Sequence, residues 1–194
     1  MLEMWLLFFI FIALFEIALL IYVAERWYSV RIKHQYPPVS CRARHACALV
    51  ADIRKNYPNA KTVVDIGAGF GRLARAIANG TGANVYAIEN MPVSVRIAKF
   101  MKFITRARRI GIVYADAFEY IPGKKFDIGI AYLGPDMNAR LRDLMPCFRV
   151  MITLDAEIPG IRPTRIIDIP GGYTYYHHIG RFPNRLYIYE NPTK

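Results

Sequence analysis

The segment Val63-Val64-Asp65-Ile66-Gly67-Ala68-Gly69-Phe70-Gly71-Arg72 constrains this chain more than any other. An apolar run of strand type enters a glycine-rich turn, and a helical pattern, GRLARAIA, follows at once. Glycines at 67 and 69 let the backbone come close to a ligand, and the helix behind them offers free N–H groups and the positive end of its dipole. The arrangement suits a nucleotide-like ligand. A dinucleotide fingerprint, G-x-G-x-x-G, would place its third glycine where the chain has Arg72. The spacing present is G-x-G-x-G.

Downstream, strand-type and helical segments alternate: NVYAIE, a basic helix from Val93 to Arg109, GIVYAD, then FDIGIAYL. Apolar strands separated by helices predict a parallel, doubly wound, Rossmann-like α/β sheet. A further helix is expected from Ser40 to Asn56, with Ser40 as N-cap and the turn Tyr36-Pro37-Pro38 before it. In the last third, RVMITLD, TRIIDIP, YTYYHHIG and RLYIYE are strand-like pieces separated by Pro/Gly turns too short for crossover helices. The mostly parallel sheet is therefore expected to have an antiparallel C-terminal end.

From Leu2 to Ala24 the chain is almost wholly apolar, and about 20 residues at about 1.5 Å each match the ~30 Å hydrocarbon core of a bilayer. Trp5 at one end and Tyr22, Trp27 and Tyr28 at the other stand where amphipathic rings favour the headgroups. A cleaved signal peptide would carry a positive start, a shorter apolar stretch and a small-x-small site, none of which is present. The expected division is a transmembrane anchor at 1–28, a linker at 29–39 and one domain at 40–194. Arg26, Arg31 and Lys33 follow the apolar stretch while only Glu3 precedes it, which predicts a cytoplasmic domain. Glu16, near mid-span, is satisfied either by a helix–helix contact or by protonation, so oligomeric state is left open. With 54% apolar residues and a net charge of +11 over 194 residues, the chain is neither a disordered acidic protein nor an ordinary neutral enzyme. The positive charge suits anionic lipid or nucleic acid, and the apolar N-terminus favours lipid.

The segment DIGAGFGR resembles the class I S-adenosylmethionine-dependent methyltransferases, in which an acidic residue and a GxGxG turn end the first strand. By that resemblance S-adenosyl-L-methionine is the cofactor, held by Asp65, Gly67, Ala68, Gly69, Glu89, Asp116 and Ala117. Glu89, ending NVYAIE, would accept from the ribose hydroxyls, a chemistry a carboxylate suits. Asp116 would accept from the adenine amino group, with Ala117 and Phe118 near the ring and Asp65 near the methionine end. A narrower resemblance is to the ATP synthase c-subunit lysine methyltransferase family and its prokaryotic relatives. It is carried by Pro37-Pro38-Val39, DIGAGFGR and Tyr132-Leu133-Gly134-Pro135, similar to that family's YLxP signature. It implies a protein substrate, and one in or at a membrane. The fourth strand ends in AYLGP and lacks the (D/N)PP(Y/F) run of adenine-N6 or protein-glutamine methyltransferases, so a nucleobase amine is a less favoured acceptor and nucleic acid is not expected as partner.

Methyl transfer from a sulfonium is a direct displacement that asks the protein for alignment and exclusion of water. A lysine acceptor must first lose its proton, which desolvation favours. Tyr132 is the first candidate for lining the acceptor channel. Asp155 and Glu157 are candidates to orient an ammonium or take its proton; the alternative is that both are surface carboxylates. A lipid or small-amphiphile acceptor, and a non-catalytic cofactor-binding scaffold, stay open. No metal site is expected: Cys41, Cys47 and Cys147 lack ligand spacing, and His45 belongs to a helix face of small residues. Adjacent His177 and His178 face opposite sides of a strand. Tyr173, Tyr175, Tyr176, Tyr187 and Tyr189 fit antiparallel strands better than a substrate wall. Arg96, Lys99, Lys102, Arg106, Arg108 and Arg109 make a charged helix face that either is solvated or meets an anionic membrane.

Overall fold

The computed structural model describes residues 2–31, 41–176 and 180–191. Two compact units divide at residues 37 and 38. The first is helix α1, Leu2–Arg31. Its stretch Met4–Ala24 is long and apolar enough to cross a membrane, with a mean hydropathy of 2.8, and none of it is buried. Trp5 and Trp27 are both exposed, and helical rise separates them by about 33 Å, the depth that interfacial rings bracket. Glu16 is exposed on the same helix.

The second unit begins with α2, Ala43–Asn56, followed by β1, Thr62–Ile66, α3, Arg72–Thr81, β2, Asn84–Glu89, α4, Pro92–Ile104, and β3, Ile110–Tyr114. Then come α5, Ala117–Tyr120, β4, Phe126–Ala131, the single turns α6, Pro135–Asn138, and α7, Leu141–Leu144, and three strands: β5, Phe148–Leu154, β6, Arg165–Tyr176, and β7, Gly180–Glu190. The seven strands form one sheet in the order β3-β2-β1-β4-β5-β7-β6. Alternate residues of each strand point to opposite faces, and the apolar runs feed both. Val63, Val85, Ile128, Ile130 and Ile152 join the α2 and α3 residues Leu49, Ile53 and Ile77 in one core cluster. Val64, Ile66, Ala131 and Met151 join Leu141, Leu144 and Ile158 in the other.

Several expectations are corrected. RVMITLD forms β5, which pairs in parallel with β4, so the antiparallel pairings are confined to β5 with β7 and β7 with β6. TRIIDIP and the strand-like part of YTYYHHIG make one strand, β6: Pro170-Gly171-Gly172 form a bulge between Asp168 and Tyr173, where both glycines have positive φ. The helix expected from Ser40 begins at Ala43, with Arg42 as N-cap and no side-chain cap bond. The basic helix stops at Ile104, so Arg106, Arg108 and Arg109 lie beyond it. Arg106 takes φ +50 there, while its N–H reaches the Phe103 carbonyl and that of buried Ala107 reaches Lys102, a left-handed helix ending. The antiparallel-strand reading of the tyrosines holds: Tyr173, Tyr175 and Tyr176 lie in β6, and Tyr187 and Tyr189, buried in the core, lie in β7. Lys33, Pro37, Pro38, Ser40, His177 and His178 lie outside the described residues.

Candidate functional site

In the strand order β3-β2-β1-β4-β5, the chain leaves β1 toward one side of the sheet and returns as β4 on the other, and the carboxyl edge at such a switch point is where ligands bind in open α/β sheets. The glycine turn sits on that edge. Gly67, Gly69 and Gly71 have φ of +70, +53 and +69, a left-handed region that L side chains rarely adopt. A Cβ at Gly67 would also stand 2.7 Å from the Leu133 side chain, so the cradle is closed to a side chain by backbone conformation and packing together.

Glu89, at the end of β2, fixes the turn. Its carboxylate accepts the N–H of Gly69 at 2.7 Å on one oxygen, and those of Asn90 at 3.0 Å and Met91 at 2.9 Å on the other. Burial pushes its pKa up, and the three N–H bonds oppose that. A carboxylate has about four acceptor positions, so one remains, on the oxygen facing Gly69. The expected ribose contact can take one hydroxyl there without displacing a backbone bond.

Asp65, in β1, is buried and accepts the Ala74 N–H of α3 at 3.1 Å. Burial raises its pKa to about 7, helped by the Glu89 charge and opposed by the Ala74 bond. Cys41 lies close enough for the Asp65 charge to add to the burial that raises its thiol to about 12. Ala68 is half-buried against the core, and its N–H shares the Ile88 carbonyl with that of Gly67. Asp116 caps α5 by accepting the Phe118 N–H at 2.8 Å, and Ala117 behind it is buried. The Arg140 guanidinium lies 3.9 Å above the Phe118 ring and takes one of its faces.

The β4 and β5 ends form the other half. Tyr132, just after β4, is half-buried, with its ring 5.7 Å from that of His45 in α2. Burial and then the Asp155 charge push its phenol well up, so it stays protonated. Asp155 is fully buried, which overturns its reading as a surface carboxylate. It accepts from His45 Nε2 at 2.9 Å, Thr174 Oγ1 at 2.6 Å and the Arg185 N–H at 3.2 Å. Its φ of +63 is held by its own N–H on the Arg185 carbonyl at 2.9 Å. A hydroxyl has one proton, so Thr174 gives it to Asp155, and the Asn184 amide, 2.9 Å away, donates back once its NH2 faces the hydroxyl. Glu157 is exposed, two residues on. Asn138 ties this loop to the one after β4 by donating to the carbonyls of Ala156 at 2.9 Å and Glu157 at 3.2 Å.

The structure thus brings Asp65, Gly67, Gly69 and Glu89 into one turn, and Tyr132 and Asp155 into one network. The sequence reading missed His45, Thr174 and Asn184. A signal for His45 was available: with Leu49 and Ile53 it repeats every four residues, which marks the buried stripe of α2. Among the described residues no group of three or more His, Cys, Asp or Glu side chains is placed to hold a metal ion.

No protein-family model and no curated protein matches the chain. Solved structures do. The chain is similar to an RNA methyltransferase from Salinibacter ruber in complex with S-adenosyl-L-homocysteine, at 20% identity and a TM-score of 0.64 over 80% of this chain and 95% of that one. It is also similar to a precorrin-6y C5,15-methyltransferase from Geobacter metallireducens GS-15, at 14% identity and a TM-score of 0.57 over 79% and 90% of the two chains. A third is a SAM-dependent methyltransferase from Thiobacillus denitrificans in complex with S-adenosyl-L-homocysteine, at 15% identity and a TM-score of 0.53 over 66% of this chain and 54% of that one. The sheet and its flanking helices have the Rossmann-like methyltransferase fold.

Proposed function

We propose that the chain is an S-adenosylmethionine-dependent methyltransferase, held at a membrane by α1, that transfers a methyl group to the side-chain amine of a protein lysine. One observation carries the cofactor reading: a turn of three left-handed glycines, where side chains are strained, lies beside a buried carboxylate with one acceptor position left for a hydroxyl. These residues fit the cofactor. Glu89 would hold a ribose hydroxyl, Asp116 the adenine amino group and Asp65 the cationic methionine end. When bound, the cofactor supplies an electrophilic methyl group on a sulfonium.

The remaining steps belong to the chain's own residues. Tyr132 lines the acceptor's approach, and its ring packs against that of His45. Asp155, fully buried and held by His45, Thr174 and the Arg185 N–H, acts as a positioning residue. Glu157, exposed on the same loop, is the carboxylate able to meet an incoming ammonium. Desolvation beside the tyrosine ring then favours the free amine over its charged form. Lysine is supported by the resemblance of Tyr132-Leu133-Gly134-Pro135 to the YLxP signature. A cytoplasmic domain is the orientation that Arg26, Arg31 and Lys33, after the apolar stretch, favour.

Full-length protein should transfer radiolabelled methyl groups to membranes prepared from cells lacking the gene, with label in the protein fraction and on lysine. Gly67→Val should abolish transfer and cofactor binding. Label confined to lipid would replace lysine with a lipid acceptor. Cofactor binding without any transfer would leave a non-catalytic binder, and undiminished binding by Gly67→Val would remove the cofactor assignment.

A further inference from the structure

Helix α4 is turned inside out relative to an ordinary surface helix. Its inward side is small, with Ser94, Val95 and Ala98 buried. Its outward side, at the i, i+4, i+7 spacing of Arg96, Phe100 and Phe103, carries large apolar groups: Phe100 is 61% exposed, Phe103 80% and neighbouring Ile104 54%. Scattered exposed apolar residues need no explanation, but adjoining ones rimmed by charge mark an interaction site.

The rim is cationic. Arg96 and Lys99 flank the two phenylalanines and are exposed, and no acidic residue stands between Met91 and Ile110. The left-handed turn at Arg106 ends the helix so that exposed Arg106 and Arg108 follow directly on Phe103 and Ile104. Glycine is the favoured residue at such a position. Here the chain places a cation there, at the negative end of the helix dipole.

We propose that Phe100, Phe103 and Ile104, rimmed by Lys99, Arg106 and Arg108, are a docking surface for an anionic lipid bilayer. Partial burial of aromatic and aliphatic side chains at the boundary between headgroups and acyl chains, with Lys and Arg among the headgroups, is how an interfacial helix binds. RNA also attracts cations and stacks on aromatic rings, but Ile104 offers a base no ring to stack on, whereas hydrocarbon accepts all three apolar side chains. This contact is distinct from the membrane crossing proposed for α1.

The test uses the full-length chain in lipid nanodiscs, carrying Cys47→Ser and a nitroxide at Thr105→Cys, an exposed position beside the apolar patch. A second label at Asn59→Cys, in the exposed turn before β1, is the reference. Accessibility to oxygen, which concentrates in the acyl region, is compared with accessibility to a water-soluble nickel chelate. In discs containing phosphatidylserine the label at 105 should shift from nickel toward oxygen. It should return to nickel in phosphatidylcholine discs and in the triple variant Lys99→Glu/Arg106→Glu/Arg108→Glu, while the label at 59 stays with nickel throughout. The proposal is overturned if the label at 105 stays with nickel in phosphatidylserine discs, or if it is shielded from both reagents, the sign of a second copy on the patch. Shielding that appears only on adding single-stranded RNA would overturn it as well. The lipid comparison decides the question even if the triple variant fails to fold.

Discussion

The two halves of the carboxyl edge each centre on a buried carboxylate, and they are built in opposite ways. Glu89 is satisfied by backbone N–H groups, two of them on the next two residues and the third on Gly69. Asp155 is satisfied mainly by side chains from far along the chain: His45, 110 residues away, and Thr174, 19 away, as well as the Arg185 N–H. One carboxylate holds a loop conformation, and the other holds side chains. Glu89 stands beside the glycine turn and can meet a ligand directly, whereas Asp155, fully buried among His45, Thr174 and the Arg185 N–H, positions the groups around it.

The largest expected effect is at Glu89. Alanine there orphans three N–H groups at about 1–3 kcal/mol each, partly relieved by water, so Glu89→Ala should lower stability by about 4 kcal/mol as well as abolish cofactor binding. Denaturant unfolding of the full-length chain, together with calorimetric titration of the cofactor, separates the two losses. A variant of unchanged stability that merely binds cofactor less tightly would make Glu89 a simple ribose ligand, and the contrast with Asp155 would fail.

Asp65 sharpens the comparison through pH. Its folded pKa, about 7, is raised above the ordinary 3.8 by burial. Its contribution to stability is therefore fully present below about pH 4 and is lost as pH rises through about 7. The shift corresponds to about 4 kcal/mol in full. Allowing for relaxation, the stability of wild type relative to Asp65→Asn should fall by about 3 kcal/mol between pH 4 and 8. A flat difference would mean that Asp65 is solvated or ionised throughout the range.

The same contrast explains what the sequence could reveal. Asp65, the three glycines and Glu89 act through strand ends and backbone bonds, so their spacing along the chain carries their role. Alternating apolar runs likewise announced the parallel half of the sheet, since Val63 and Val64 feed opposite cores. His45, Thr174 and Asn184 form a site only after α2, β6 and β7 have packed, and nothing near any of them in sequence marks a partner in another element. Pro170-Gly171-Gly172 misled for a related reason: punctuation that ends an isolated strand is accommodated as a bulge when β7 pairs on both sides of it.

In the Asp155 half, Asp155→Asn should be milder than Glu89→Ala. Asparagine tolerates the left-handed φ and keeps one acceptor, but its NH2 must face one of the donors from His45, Thr174 or the Arg185 N–H. We expect a loss of about 2 kcal/mol in stability with cofactor affinity within about threefold of wild type. A cofactor affinity that falls as steeply as in Glu89→Ala would show the two halves to be one unit.

Tyr132 should show the smallest effect on the fold and the clearest separation of roles. Tyr132→Phe keeps the ring against His45 and removes only the hydroxyl, whose loss is worth about 1 kcal/mol. Tyr132→Ala removes the wall of the acceptor's approach as well. If the residue touches the acceptor and not the cofactor, cofactor affinity stays near wild type in both variants while kcat falls much further in alanine than in phenylalanine. An acceptor lysine, with an ordinary pKa of about 10.4, becomes more reactive as pH rises because the free amine becomes commoner. Wild-type activity should therefore climb from pH 7 toward 9. The alanine variant, no longer able to desolvate the ammonium, should require a higher pH for the same climb, whereas a purely structural role would lower the curve without displacing it. Equal pH profiles for all three proteins would separate Tyr132 from the acceptor and leave it as a packing partner of His45.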